Sequence, residues 1–292
     1  MDRQAMIVLD GAMGTELAAR GVPTQGPGWS AYALELAPEV VRAIHRDYAR
    51  AGAAVARTNT FRTQPGTFPD RWPKLVAAAV RLVRDASPKQ RVAGSIAPIF
   101  DCYRPDLSPS PDEAKPAHVA LAGALAREGV DLLICETFPH TGEACIAVEA
   151  AVATGVETWV ALTAGPDGAL MTAEAMERGA RDCVRAGAAA VLVCCTGARL
   201  TLPYVERLSR VGVPFGAYAN AGDPADGLGW GAPGAADRYV ELAREWRTAG
   251  ATILGGCCGT EPKHIEALAR AFGRDPAPEM DGHDDRLRPN VR

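Results

Sequence analysis

Short apolar runs alternate with longer segments of helical periodicity along most of this chain. The runs are rich in β-branched and aliphatic residues and are bounded by charged or turn-forming residues. They are Ile7–Asp10, Ala54–Thr58, Arg91–Ser95, Leu132–Glu136, Thr158–Thr163, Ala190–Cys195, Pro214–Ala219 and Ala251–Gly256. Uniformly apolar runs of this length are typical of parallel strands that are buried on both faces.

The segments between the runs have the pattern of helices. Examples are Pro38–Gly52, Trp72–Ala86 and Pro111–Gly129. Proline near the start and glycine near the end are typical helix boundaries. Eight strand–helix units over roughly 270 residues predict a single (β/α)8 barrel, which we assign to residues 1–273. Residues 274–292 are polar and proline-rich and predict a poorly packed C-terminal extension.

An open, doubly wound sheet is the alternative fold. The segment after the first run reads "DGAMGTEL" and lacks the GxGxxG spacing of a dinucleotide site, which disfavours that alternative.

The composition restricts the class of protein. Hydrophobic residues make up 48% and charged residues 23% of the 292, which suits a globular chain with a substantial core. A net charge of -4 gives no long-range attraction to nucleic acid or to an anionic membrane surface. The N-terminus lacks the long apolar region of a secretory signal, and no apolar stretch has membrane-helix length. We therefore expect a cytoplasmic protein whose cysteines are thiols.

Polar residues follow several of the predicted strands. In a (β/α)8 barrel, the C-terminal ends of the strands form the active site, so these side chains are expected at one rim. They are Asp10, Thr58, Asn59, Glu136, Cys194, Cys195, Asn220, Cys257 and Cys258.

The cysteines at this rim suggest a metal site. Adjacent cysteines are poor disulfide partners, whereas zinc favours thiolate ligands, and a catalytic zinc takes three protein ligands and keeps one position open. Cys195 and the pair Cys257 and Cys258 would meet at the rim, and the glycines that flank the pair would let both sulfurs face one ion. The alternative is that they are small buried hydrophobic residues. We assign that structural role to Cys102, Cys135, Cys145 and Cys183.

Four motifs and one tryptophan resemble the homocysteine S-methyltransferase family. The motifs are "LDGAMGTEL", "TNTF", "CETF" and "GGCCGT", and Trp246 precedes the last of them. The resemblance runs from about residue 5 to residue 272. It implies a zinc-dependent (β/α)8 barrel that methylates homocysteine to methionine. It also implies zinc bound by Cys195, Cys257 and Cys258, with homocysteine near Asp10 and Glu136.

The residue types suit this chemistry. A free thiol is largely protonated at neutral pH, but a metal-bound thiol is deprotonated. Three thiolates around Zn²⁺ leave a net negative charge that keeps a fourth sulfur electron-rich. An imidazole-ligated zinc would instead favour water activation, so the cysteine set favours alkyl transfer to sulfur over hydrolysis.

Several other residues are candidates for substrate binding. Asp10 and Glu136 suit an α-ammonium group; a helix N-cap is the alternative for Asp10, and an ion pair with Arg57 for Glu136. Backbone amides near Gly11 would suit the substrate carboxylate, although a simple turn also explains the glycine. We also assign Thr58 and Asn59 to the substrate site.

Asn220 either orients a ligand or closes a turn. The histidines His45, His118, His140 and His264 are not spaced as a metal pair, and we expect surface or helix-end roles for them.

Two departures from the resembled family leave questions open. Cys194 stands where that family usually has asparagine, so Cys194 could compete with Cys195 or close the site as a fourth ligand. The loop "GSIAPIFDCYRPDLSPS" differs from the usual loop after the third strand, which bears on the methyl donor. We expect S-methylmethionine or S-adenosylmethionine.

Betaine, or a methyl-corrinoid or folate presented by a partner, remains an alternative donor, and another small thiol or selenol an alternative acceptor. Two non-enzyme alternatives are a redox sensor that oxidises Cys257 with Cys258, and a barrel with a purely structural zinc.

Overall fold

The computed structural model of the chain describes residues 6–86, 88–222 and 224–273. The predicted extension at 274–292 lies outside these residues. The strands are β1 (Ile7–Val8), β2 (Val55–Arg57), β3 (Arg91–Ile96), β4 (Leu132–Phe138), β5 (Thr158–Leu162), β6 (Ala190–Gly197), β7 (Phe215–Asn220) and β8 (Ile253–Gly256). Each predicted strand is therefore present, with ends displaced by a few residues.

Helices follow every strand. They are α1 (Met13–Ala19), α2 (Ala33–Leu36), α3 (Pro38–Arg50), α4 (Trp72–Ala86), α5 (Pro111–Arg127), α6 (Thr141–Val152), α7 (Ala173–Arg185), α8 (Leu202–Leu208), α9 (Ala235–Thr248) and α10 (Pro262–Phe272). In the described part of the chain, none of them combines the length and apolarity needed to span a membrane.

The strands form one parallel sheet that closes on itself. Neighbours are hydrogen-bonded in the order β1-β8-β7-β6-β5-β4-β3-β2. A parallel bridge between Leu9 and Val55 joins the two ends, and the amide of Asp10 donates to the carbonyl of Val55 at 3.0 Å. The prediction of a (β/α)8 barrel is confirmed, and the open-sheet alternative is wrong.

Two apolar layers hold the barrel together. A cluster of alternate strand residues fills its interior, including Leu132, Ile134, Trp159, Leu192 and Ile253. A larger cluster lies between the sheet and the surrounding helices. Because side chains of a strand alternate between the two layers, the interior is filled by apolar groups and the polar residues collect at the strand ends.

The histidines differ in part from the prediction. His45 and His118 are buried within α3 and α5, so surface or helix-end roles are wrong for them. His140 caps α6 by accepting a hydrogen bond from the amide of Glu143 at 3.3 Å. His264 accepts one from the amide of Glu261 at 3.2 Å at the start of α10. The helix-end role is confirmed for these two, although His264 is also buried.

Candidate active site

A cavity of about 890 Å³ lies at the C-terminal ends of the strands. Of the nine residues assigned to the metal and substrate sites, eight line it, namely Asp10, Gly11, Thr58, Asn59, Glu136, Cys195, Cys257 and Cys258. Asn220 is the exception. Aromatic side chains from three loops form much of the remaining wall, namely Trp29, Phe61, Phe100 and Tyr103.

The three predicted cysteine ligands come together in this cavity. The Sγ atoms of Cys195, Cys257 and Cys258 all lie within 4.8 Å of one another. In the described residues, no other group of three histidine, cysteine, aspartate or glutamate side chains converges in this way. A compact set of three sulfur donors is a suitable ligand set for zinc.

Cys195 and Cys257 are in disulfide contact, with a Cα–Cα distance of 5.7 Å. Sulfurs brought this close either share a cation or bond to each other, and the prediction that these two cysteines are thiols in a reducing compartment stays a prediction. Cys258 remains a free, half-buried thiol, and it does not bond to its neighbour Cys257. The disulfide and metal ligation exclude each other, since a metal requires both sulfurs as thiolates.

The glycines around the adjacent cysteines are required by close packing. Gly259 has φ +81°, and a Cβ there would overlap the carbonyl oxygen of Gly222. The turn is further tied down by the amide of Cys257, which donates to the carbonyl of Ala219 at 3.0 Å. The carbonyl of Cys258 accepts from the amide of Ala221 at 2.9 Å. Strand β7 thus holds the cysteine turn at the rim.

Irregular backbone aims Cys195 at the cavity. In a regular strand Cys194 and Cys195 would face opposite sides, but the register of β6 shifts between Cys194 and Gly197. Cys195 adopts φ +49°, a left-handed conformation that is uncommon outside glycine. At the end of β4, Thr137 shows the same irregularity, with φ +64°, and its hydroxyl lies 3.5 Å from the Cys195 sulfur.

Cys194 lies outside the three-sulfur cluster. Its Sγ contacts the hydroxyl of Thr137 at 3.6 Å and the carbonyl of Ala161 at 3.7 Å. Burial raises the pKa of the Cys194 thiol to about 12. This geometry favours Cys195 over Cys194 as the ligand and gives no support to a fourth cysteine that closes the site.

Asn220 acts on the backbone of Cys195. Its Nδ2 donates to the Cys195 carbonyl at 3.0 Å, and the side chain is buried. The left-handed turn at Cys195 is thereby anchored to β7. Of the two roles predicted for Asn220, this contact is closer to closing a turn than to orienting a ligand.

Arg57 connects the two predicted carboxylates and was not among the predicted site residues. Its Nε lies 2.6 Å from Asp10 Oδ1, and its Nη1 lies 3.2 Å from Glu136 Oε2. The guanidinium also lies 4.5 Å from the centre of the Tyr218 ring. Burial opposes the charge of Arg57, but Asp10 and Glu136 outweigh it and hold the pKa of the guanidinium well above its usual value. The ion-pair alternative for Glu136 is confirmed.

Both carboxylates have further protein donors. Asp10 Oδ2 accepts from the amide of Arg57 at 2.8 Å, and Glu136 accepts from the hydroxyls of Tyr218, at 3.0 Å, and Ser95. The helix N-cap alternative for Asp10 is wrong, because α1 is capped at Ala12 without a side-chain hydrogen bond. The two carboxylates and one guanidinium together carry one net negative charge.

Thr58 and Asn59 shape the cavity through neighbouring segments. Thr58 Oγ1 accepts from the amide of Ser95 at 3.0 Å. The Asn59 amide pairs with Ser30 through two hydrogen bonds, of 2.7 Å and 2.8 Å. Ser30 follows Trp29, which has φ +41°. The Trp29 ring packs edge-on against the Phe61 ring, with 5.7 Å between the ring centres. Asn59 therefore holds the segment that carries part of the aromatic wall.

The four predicted structural cysteines are placed differently from one another. Cys135 and Cys183 are fully buried, as expected. Cys145 is half-buried and lies beside Cys183. Cys102 is buried but lines the cavity, where burial raises the pKa of its thiol to about 11.

The aromatic wall and the central role of Arg57 are not predicted by the sequence patterns. A charged residue inside the otherwise apolar run at 54–58 was the available signal for Arg57. The aromatic residues lie in loops, where no periodicity indicates which side chains face inward.

The closed barrel, with sulfur donors and paired carboxylates at the C-terminal ends of its strands, defines a (β/α)8 barrel with an enzyme-type site. The sequence profile of the family described as homocysteine S-methyltransferase matches residues 7–272. The chain therefore belongs to the homocysteine S-methyltransferase family, and the resemblance noted from its motifs is confirmed.

Individual relatives agree with this assignment. The homocysteine S-methyltransferase of Escherichia coli (strain K12) is 33% identical, over 92% of this chain and 96% of the relative. The S-methylmethionine–homocysteine S-methyltransferase BHMT2 of Rattus norvegicus is 30% identical, over 97% of this chain and 84% of the relative. The crystal structure of the metallated form of the E. coli homocysteine methyltransferase MmuM has a TM-score of 0.77 at 31% identity, covering 92% of this chain and 97% of that one.

Proposed function

We propose that this chain is a zinc-dependent methyltransferase that transfers a methyl group from a sulfonium donor to homocysteine and forms methionine. The observation that carries the proposal is the convergence of Cys195, Cys257 and Cys258 within 4.8 Å in a cavity of about 890 Å³. These three residues would hold the ion. When bound, zinc acts as a Lewis acid that keeps a coordinating thiol deprotonated. The metallated form of the E. coli relative supports the proposal.

The carboxylates suit the amino-acid part of homocysteine. Arg57 neutralises one of the two charges of Asp10 and Glu136, which leaves one negative charge for one α-ammonium group. Both carboxylates line the cavity and retain lone pairs that can accept from an ammonium donor. The proposed role of Arg57 is to hold this pair in place, and binding of the substrate carboxylate near Gly11 stays a prediction.

The aromatic wall suits a cationic methyl donor. Aromatic faces attract onium groups, and Trp29, Phe61, Phe100 and Tyr103 surround the outer part of the cavity. The rat relative is named for S-methylmethionine, which supports a sulfonium amino acid as the donor. Asp101 also lines this wall and would accept from the N–H groups of the α-ammonium group of such a donor, whereas the trimethylammonium group of betaine has no N–H to donate.

The experiment measures zinc and methyl transfer on the same reduced sample. We expect about one zinc per chain. We also expect methionine from homocysteine with S-methylmethionine or S-adenosylmethionine, and a much lower rate with betaine. Cys257→Ser should lose zinc and activity together, whereas the matched control Cys102→Ala should keep its zinc. Reduced protein without zinc, or without turnover with any of these donors, would refute the proposal.

A redox-sensing role is the second candidate, and one observation bears on it. The pair in disulfide contact is Cys195 with Cys257, not Cys257 with Cys258 as the sequence suggested. Oxidation of this pair would remove two of the three metal ligands. Activity that returns after treatment with a thiol reductant and zinc would support an enzyme whose site is sensitive to oxidation. The cytoplasmic location and the domain boundary at residue 273 stay predictions.

A further inference from the structure

A second pair of cysteines meets on the outside of the barrel. The Sγ atoms of Cys145, on α6, and Cys183, on α7, lie 3.4 Å apart. Cys183 is fully buried, whereas Cys145 is half-buried. Neither residue lines the cavity described above. This pair therefore has no part in the proposed methyl transfer.

Close packing of the two helices brings the sulfurs together. Residues four apart lie on one face of a helix, so Thr141 shares a face of α6 with Cys145, and Gly179 shares a face of α7 with Cys183. A Cβ on Gly179 would overlap the Thr141 side chain, which shows that the helices touch at this level. One turn further along, the same contact places the two sulfurs against each other.

The two thiols differ in reactivity. The hydrogen bond between the sulfurs lowers the pKa of Cys145 and raises that of Cys183, which burial raises further. The half-buried Cys145 is also the sulfur that a small oxidant can reach. Since the thiolate is the reactive form, Cys145 has the properties of an attacking thiol and Cys183 those of a resolving one.

We propose that Cys145 and Cys183 are an oxidation site that forms a reversible disulfide between α6 and α7. With hydrogen peroxide as oxidant, the Cys145 sulfur attacks a peroxide oxygen, the O–O bond breaks and one molecule of water leaves. The Cys183 sulfur then attacks the resulting Cys145 sulfenic acid, the S–O bond breaks and a second water leaves. The two thiols lose two electrons in total, and the peroxide gains them. A small dithiol restores both cysteines by exchange.

The sulfurs need only a short movement for this reaction. A disulfide requires an S–S distance of about 2.05 Å, so the sulfurs must approach by little more than 1 Å. Side-chain rotation and a small helix shift can supply that movement. The bridge would close a loop between residues 38 positions apart, which stabilises a protein mainly by restricting its unfolded state.

The test uses the full chain, reduced and freed of metal, then exposed to graded hydrogen peroxide and alkylated. Mass spectrometry of the digest should detect a Cys145–Cys183 cross-linked peptide that dithiothreitol removes. The Tm should rise by about 5–10 °C on oxidation. Cys195 and Cys257 serve as an internal standard in the same digest.

Variants separate this pair from the active site. Cys145→Ser and Cys183→Ala should each abolish the cross-link and lower the Tm increase to the part that the Cys195–Cys257 bridge supplies. Both variants should retain methyl transfer within about twofold, because neither residue touches the cavity. The proposal is overturned if Cys195 and Cys257 oxidise fully without any Cys145–Cys183 peptide. Overoxidation of Cys145 to sulfinic acid, or a bridge that dithiothreitol does not reduce, would also overturn it.

Discussion

Replacing Arg57 by methionine should be among the most damaging single changes in this protein. The guanidinium donates to one oxygen each of Asp10 and Glu136 and to the carbonyls of Asp10, Gly11 and Gly256. Methionine fills similar space but donates nothing. Both carboxylates would remain buried, and Asp10 would keep only the backbone amide of residue 57 as a hydrogen-bond donor.

The structure suggests the size of the effect. Breaking a buried ion pair from one side costs about 3–5 kcal/mol, because the remaining charge has no partner. Glu136 keeps the hydroxyls of Ser95 and Tyr218, so most of the cost falls on Asp10. We expect a loss of about 3–5 kcal/mol in the free energy of unfolding, which corresponds to a Tm decrease of about 10 °C.

The effect should depend on pH. Burial raises the pKa of the Asp10 carboxyl, and Arg57 is the main group that lowers it. Without Arg57 the folded-state pKa moves further above the unfolded value. A carboxyl of this kind destabilises the folded state while it is charged, so the variant regains stability as the pH falls through the folded pKa. The difference between wild type and variant should therefore be largest near pH 7.5 and smaller near pH 5.

Urea unfolding followed by tryptophan fluorescence measures the difference at each pH. Arg57→Lys keeps the charge but not the planar fork of donors, so its loss should be intermediate. Arg104→Met removes an exposed pair with Asp106 and should leave the Tm almost unchanged. A loss below about 1 kcal/mol for Arg57→Met, or a loss that grows towards pH 5, would refute the reasoning.

Three further predictions concern other parts of the fold. Gly259→Ala should lower the free energy of unfolding by about 2 kcal/mol or more and weaken zinc binding. Gly21→Ala, where φ is +75° but the surrounding space is open, should lower it by only about 1 kcal/mol. Equal losses for the two variants in thermal unfolding would contradict this. Burial lowers the pKa of His45 to about 4, so the unfolded chain binds the extra proton first, and stability is lost as the pH falls below about 6.5. The wild type should therefore lose about 2 kcal/mol relative to His45→Gln between pH 7.5 and pH 5, and parallel pH profiles in urea unfolding would exclude this effect. Glu143 accepts from the amide of Ile99 at 2.9 Å and contacts His118 at 3.2 Å, so it holds the loop that lines the cavity. Glu143→Ala should release this loop and raise the KM for the methyl donor more than it lowers kcat, while Glu143→Gln should largely restore the KM. Unchanged donor kinetics in Glu143→Ala would argue against this role.

Much of the site followed from local patterns. The run "ILGGCCGT" ends a buried strand, and a barrel places every strand end at one rim. The same argument brought Asp10 and Glu136 to the cavity from runs that are far apart in the chain. These features are readable because strand length, apolar pattern and order along the chain are properties of the sequence itself.

The alternation of buried strands and helices was sufficient to predict the barrel and the rim on which Cys257 and Cys258 lie. Which of Cys194 and Cys195 faces that rim depends on a left-handed residue, which Asn220 anchors from 25 positions away. The clamp of Arg57 on Asp10 and the contact between α6 and α7 likewise join distant segments. Local periodicity specifies an element and its faces, but only packing between elements specifies which side chains meet.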